Sequence, residues 1–173
     1  MPAPVLLIAV GNESRGDDAL APLLLRKLDA RLDSVVRGGC CELLEEFQLQ
    51  VENTMDIQGR ELVLFIDAGM DTPAPFSFYR AAASATPTLF SHALAPEALL
   101  NLYQQIYHEA SPPAFVLCIR GEQFELGAPL SAQAAGRMVA AQQFALELLN
   151  HTDAQVWEVM AEQMAKASER CDA

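Results

Sequence analysis

The run Val5-Leu6-Leu7-Ile8-Ala9-Val10-Gly11-Asn12-Glu13-Ser14-Arg15-Gly16-Asp17-Asp18 decides the fold. Its first six residues are all apolar, the pattern of a strand buried on both faces, as the central strands of parallel sheets are. The polar turn that follows carries Gly11 and Gly16, which accept backbone angles that a side chain opposes, so the chain can reverse tightly there. Beyond it Leu20, Leu23, Leu24 and Leu28 recur at helical spacing. Pro22 is tolerated only in a first turn, which puts the helix start at about residue 18 to 21. Asp17 or Asp18 is then expected to cap that helix. Strand, turn and helix together present a carboxylate at the carboxyl end of a buried strand, the edge where open α/β sheets bind ligands.

The same alternation continues outward. Cys40 to Leu44 reads as a second strand ending in Glu45-Glu46, and Phe47 to Ile57 as a short helix closed by Gly59. Leu62 to Ile66 is a fully apolar strand that runs into Asp67-Ala68-Gly69. Phe76 to Arg80 alternates as an edge strand does, and Ala81 to Leu89 is irregular, crosses the carboxyl edge and leads to Ser91-His92. Pro96 opens a helix with Leu99, Leu100, Tyr103, Ile106 and Tyr107 on one side, stopped by Ser111-Pro112-Pro113. Ala114 to Ile119 is another apolar strand. Ser131 is placed to cap a long helix running to about Asn150, with Met138, Ala141, Ala145, Leu148 and Leu149 inward. From Asp153 onward Val156, Trp157, Met160 and Met164 fit one side of a last helix, for which packing, pairing with another chain and fraying all stay open. The order of elements implies a single three-layer α/β domain over residues 1–152, followed by a helical tail over 153–173. Its sheet is expected to be twisted and mostly parallel, of about five strands, with helices on both faces.

Composition supports a full core: 173 residues, 51% of them hydrophobic, with a mean hydropathy of +0.14. A formal charge of -12 argues against nucleic acid and anionic membrane as partners, since both would be repelled. No apolar stretch reaches the ~18 residues that span a bilayer, and no basic flank precedes the first strand. The expectation is a soluble, cytoplasmic monomer. The four cysteines form no C-x-x-C pair and read as reduced, mostly buried thiols, with exposure left open for Cys171 near the end of the sequence.

Asp18, Asp67 and His92 each follow a strand or lie on a loop beyond one, so a parallel sheet can bring them to one edge. Two carboxylates and an imidazole form a three-ligand set with open positions, suited to a divalent ion of intermediate hardness. Each has an ordinary alternative: a helix cap for Asp17, Asp18 and His92, a turn bonded to its own backbone for Asp67. Other chemistries fit less well. Gly11 and Gly16 have P-loop spacing, but Asp17-Asp18 stand where lysine and a hydroxyl are needed. There is no G-x-G-x-x-G and no G-x-S-x-G elbow, and His108 and His151 fall at helix ends.

Three segments, GNESRGDDALAP from Gly11, LVLFIDAG from Leu62 and FSHALAPEALL from Phe90, resemble in order and spacing the hydrogenase maturation proteases, over roughly residues 4 to 150. That resemblance implies an endopeptidase that removes a C-terminal extension from the large-subunit precursor of a [NiFe] hydrogenase after nickel insertion. It places the metal-contacting groups on Asp18, Asp67 and His92, as both catalytic and metal residues, with nickel carried by the precursor. Where many members have Gly-Gly-Thr after the second strand, this chain has Glu45 to Glu52, which is more similar to the branch serving soluble, NAD-linked hydrogenases. The substitution makes Gln48 and Glu52 candidates for pocket roles. The competing reading is a non-catalytic metal-binding chaperone of hydrogenase assembly.

Overall fold

The computed structural model describes residues 1–32, 39–85 and 94–172. The apolar run at the start is strand β1 (Val5–Val10), and it lies inside the sheet, between β2 (Cys41–Glu46) and β3 (Leu62–Gly69), parallel to both. β5 (Ala114–Arg120) pairs parallel with β3, and β4 (Phe76–Ala81) closes that side antiparallel, giving the order β2-β1-β3-β5-β4. Five strands, four of them parallel, agree with the expected sheet.

Alternation along β1 and β3 feeds two cores. Leu6, Ile8, Val63 and Phe65 point to the face covered by α2 (Asn53–Ile57) and α3 (Pro96–Tyr107), where Ile57, Leu99, Leu100 and Tyr103 are buried. Leu7, Ala9, Leu64 and Ile66 point to the other face, covered by α1 (Leu20–Arg31), α4 (Ala132–Asn150) and α5 (Ala154–Cys171). Each fully buried leucine there stabilises the fold by roughly 1.5–3 kcal/mol. Because both faces are covered, the strands need no polar side until they reach their carboxyl ends, and that is where the acids sit.

α5 packs down. Trp157 is fully buried, its indole N–H shared between the carbonyl oxygens of Leu148 at 3.0 Å and His151 at 2.8 Å. Its ring meets Phe78 and Phe115 edge-on, centroids 6.2 and 5.5 Å away. The Asp153 carboxylate caps the helix by accepting from the N–H groups of Gln155 and Val156. No helix among the described residues is long and apolar enough to cross a membrane.

Several local expectations are corrected. Ile106 is 47% exposed because it lies at the margin of the arc centred on Tyr103, in the last turn of α3. Val156 is exposed because one residue, about 100° of helix, separates it from the buried Trp157. The thiols are free but not mostly buried: Cys40 and Cys171 are exposed, Cys41 and Cys118 partly so. Phe47 to Ile57 is helical only from Asn53, which leaves Phe47 and Gln48 on a loop.

Candidate functional site

The turn after β1 is built around a close approach. A Cβ on Gly11 would fall on the carbonyl oxygen of Asp18, so only glycine lets the chain fold back over itself here. Asn12 then holds the turn in two ways: its Oδ1 accepts from the Ser14 N–H at 2.9 Å, and its own N–H donates to Asp18 Oδ2 at 2.8 Å. Asp18 is thereby fixed at the end of β1, just ahead of α1.

Neither acid caps α1, contrary to expectation: the residue at the cap position is Ala19, with no side-chain bond. The reason is that both carboxylates are committed elsewhere. Asp17, fully buried, accepts from the backbone N–H groups of Glu122 (2.6 Å), Gln123 (3.1 Å) and Ser131 (2.7 Å), and from the Ser131 hydroxyl at 2.8 Å. Burial alone would raise its pKa, but these four bonds hold it below the usual carboxylate value.

Asp67 lies within β3, which extends through it to Gly69, and its Oδ1 accepts from the Ala68 N–H at 2.8 Å. By alternation it shares the α3 face with Val63 and Phe65, and it pairs in register with Cys118 of β5. Asp18 and Asp67 line one open cleft of about 400 Å³ together with Val10, Gly11, Asn12, Arg15, Phe47, Gln48, Ala68 and Phe124. Burial, and then the charge of Asp18, push the Asp67 carboxyl up to about 7, against the pull of the Ala68 N–H. Burial also raises Asp18, while the Asn12 N–H and the Arg15 charge act the other way. A partly desolvated carboxylate beside another is relieved by a proton or by a cation, so Asp18 and Asp67 are the two side chains here that could offer oxygen donors to a metal ion.

The structure therefore brings Asp18 and Asp67 together; His92 lies outside the described residues. Among the described residues no three His, Cys, Asp or Glu side chains are grouped to hold a metal. Gln48 does line the cleft, whereas Glu52 is an exposed residue at the start of α2. Arg15, Phe47 and Phe124 line it too, and no periodic pattern marks them because all three sit on turns. Phe47 is 66% exposed. Cys118 could be inferred beside Asp67 only once the strand register was known. Burial and the Asp67 charge push its thiol up to about 11, so it stays protonated and is no nucleophile at neutral pH.

No family model matches the sequence, and no curated protein is detectably similar to it. Solved structures are. The hydrogenase maturating endopeptidase HybD from Escherichia coli superposes with a TM-score of 0.66, covering 88% of this chain and 94% of its own, at 20% identity. The [NiFe] hydrogenase maturation protease HycI from Thermococcus kodakarensis gives 0.65 over 86% and 94% at 17% identity. HybD from the same archaeon gives 0.61 over 86% and 99% at 20% identity. The chain has the fold of the hydrogenase maturation proteases. In this maturation-protease fold, as the chain adopts it, the ends of β1 and β3 and the loop after β2 converge on the cleft that holds Asp18 and Asp67.

Proposed function

We propose that this chain is an endopeptidase that removes a C-terminal extension from the large-subunit precursor of a [NiFe] hydrogenase, recognising nickel already seated in that precursor. The observation that carries the reading is that Asp18 and Asp67, from two separate motifs, line one cleft, where burial raises the proton affinity of both and the charge of Asp18 raises that of Asp67 further. The fold supports it, since similarly folded proteins are described as hydrogenase maturation proteases. His92, which the sequence resemblance assigns to the same ligand set, is proposed as the nitrogen donor.

The chemistry follows from the donor set. The Asp18 and Asp67 carboxylates would hold a cation carried by the substrate, whose charge would take the place of the proton that burial favours on Asp67. Only loaded precursor gains that energy, so an empty precursor docks poorly. Docking through the metal then holds the scissile peptide bond over the carboxyl edge of the sheet, where water adds to the carbonyl carbon, the C–N bond breaks and the leaving amine takes a proton. Glu45 to Glu52 replaces a glycine-rich segment and puts Gln48 at the cleft, which fits a precursor of the soluble, NAD-linked type.

The test is the intact mass of a large-subunit precursor after incubation with this protein, with and without nickel. Loss of a C-terminal peptide from the loaded form alone is the expected result, and Asp67→Ala or His92→Ala should leave the mass unchanged. Equal cleavage of loaded and empty precursor removes metal recognition. Binding without any loss of mass selects the chaperone reading.

A further inference from the structure

The buried carboxylate of Asp17 has no part in the proposed metal contact, yet it is the most heavily bonded side chain near the cleft. Its four donors all belong to the segment between β5 and α4, at Glu122, Gln123 and Ser131. The same segment is tied to the turn after β1 by further bonds: Asp17 N–H to Gln123 O at 2.8 Å, Gly16 N–H to Ala128 O at 3.1 Å, Gly127 N–H to Ser14 O at 2.7 Å and Arg15 Nε–H to Phe124 O at 3.2 Å. Phe124, from the middle of that segment, lines the cleft with Asp18 and Asp67. Its ring and Asp17 Cβ both crowd Gly121, where an added Cβ would come within 2.6 Å of the ring and 2.9 Å of Asp17.

We infer that Asp17 is a positioning residue: it clamps the segment 121–131 so that Phe124 stands as a fixed apolar wall of the cleft, against which the precursor's peptide packs. This rests on the proposed function for the identity of the ligand. Among the described residues these three backbone N–H groups and the hydroxyl donate to Asp17, so losing the carboxylate frees the segment at three points at once. A wall that moves costs binding to the substrate as a whole. It does not touch the bond-breaking groups, which stay fixed by Asn12 and β3.

The experiment compares Asp17→Asn, Phe124→Ala and the double variant, each full length and at a temperature where circular dichroism shows it folded. Amide hydrogen exchange of the protein alone should quicken at Glu122, Gln123 and Ser131 in Asp17→Asn; unchanged exchange there overturns the clamp. With the nickel-loaded large-subunit precursor, Asp17→Asn and Phe124→Ala should each raise KM roughly tenfold and leave kcat within about twofold. The double variant should lose no more than Phe124→Ala alone, because Asp17 acts through that ring. Additive losses, or a fall in kcat at unchanged KM, overturn the inference. If Asp17→Asn does not fold, Ser131→Ala, which keeps three of the four bonds, should raise KM in the same direction and add nothing to Phe124→Ala. A wild-type protein that neither binds nor cuts the precursor overturns the proposed function, and the substrate wall with it; a wild type that cuts while the variants behave additively overturns the wall alone.

Discussion

Asp17 and Asp18 are neighbours in the chain whose carboxylates serve different parts of the molecule: Asp17 is bonded to Glu122, Gln123 and Ser131, Asp18 to the Asn12 N–H at the mouth of the cleft. Their substitutions should therefore separate. Asp18→Asn keeps an oxygen for the Asn12 N–H and should leave the melting temperature near wild type while abolishing nickel-dependent processing. Asp17→Asn turns an amide NH₂ toward N–H donors and should cost about 2–3 kcal/mol of stability. Because the pKa of Asp17 is lowered from 3.8 in the folded state, its contribution is present above that value and is lost as pH falls through the lowered one. Thermal melts of both variants between pH 2 and pH 7 check this.

Asp67 has the opposite sign. Its folded pKa of about 7 lies above the ordinary 3.8, so the folded state holds a proton that the unfolded chain has released. Stability is then greatest below 3.8 as far as this group is concerned, and declines as pH rises toward 7. Asp67→Asn removes the decline: its stability should match wild type near pH 4 and exceed it at pH 8, by an amount on the order of a few kcal/mol. The same proton competes with a metal, so nickel affinity of the wild type, read by calorimetry, should strengthen as pH rises through 7. A flat difference between the two proteins across that range would show that Asp67 is not desolvated.

Gly11→Ala tests whether the turn or the acids alone set the site. A methyl group there meets the Asp18 carbonyl, which is backbone and cannot swing aside. The turn must open, at a cost of about 1–3 kcal/mol, and Asp18 should move out of reach of the Asn12 N–H. Processing should fall at least as far as in Asp18→Asn although every ligand is present. Full activity in folded Gly11→Ala would show that the close approach is not required.

How much of this the sequence carried depends on which signal each part uses. The buried strands announce themselves because β1, β3 and β5 are apolar throughout, and their shared direction follows from the helices between them. Asp18 and Asp67 are legible for a related reason, as acids at or just beyond the carboxyl ends of such apolar runs. Asp17 was misread as a cap because its partners, Glu122 to Ser131, lie far along the chain and their backbone N–H groups leave no mark in side-chain pattern. Phe47 and Phe124 were invisible as cleft walls, since a loop aromatic has no periodicity to say which way it faces. Ile106 and Val156 mark the resolution of helical arcs: a residue at the margin is apolar by sequence and exposed by geometry.

The last helix offers a direct readout, because Trp157 is the sole tryptophan and lies fully buried against Phe78 and Phe115. If α5 is part of one cooperative unit with the sheet, indole fluorescence and far-ultraviolet circular dichroism should report a single, coincident unfolding transition. Trp157→Ala should lower stability by about 3–5 kcal/mol, through the cavity left among the aromatic rings and the Leu148 and His151 carbonyls deprived of their indole partner. It should spare the cleft, which none of these groups lines, so processing at low temperature should persist in the variant. A fluorescence transition that precedes the dichroism transition would instead show α5 leaving the sheet first, and would make residues from 153 onward a separable tail.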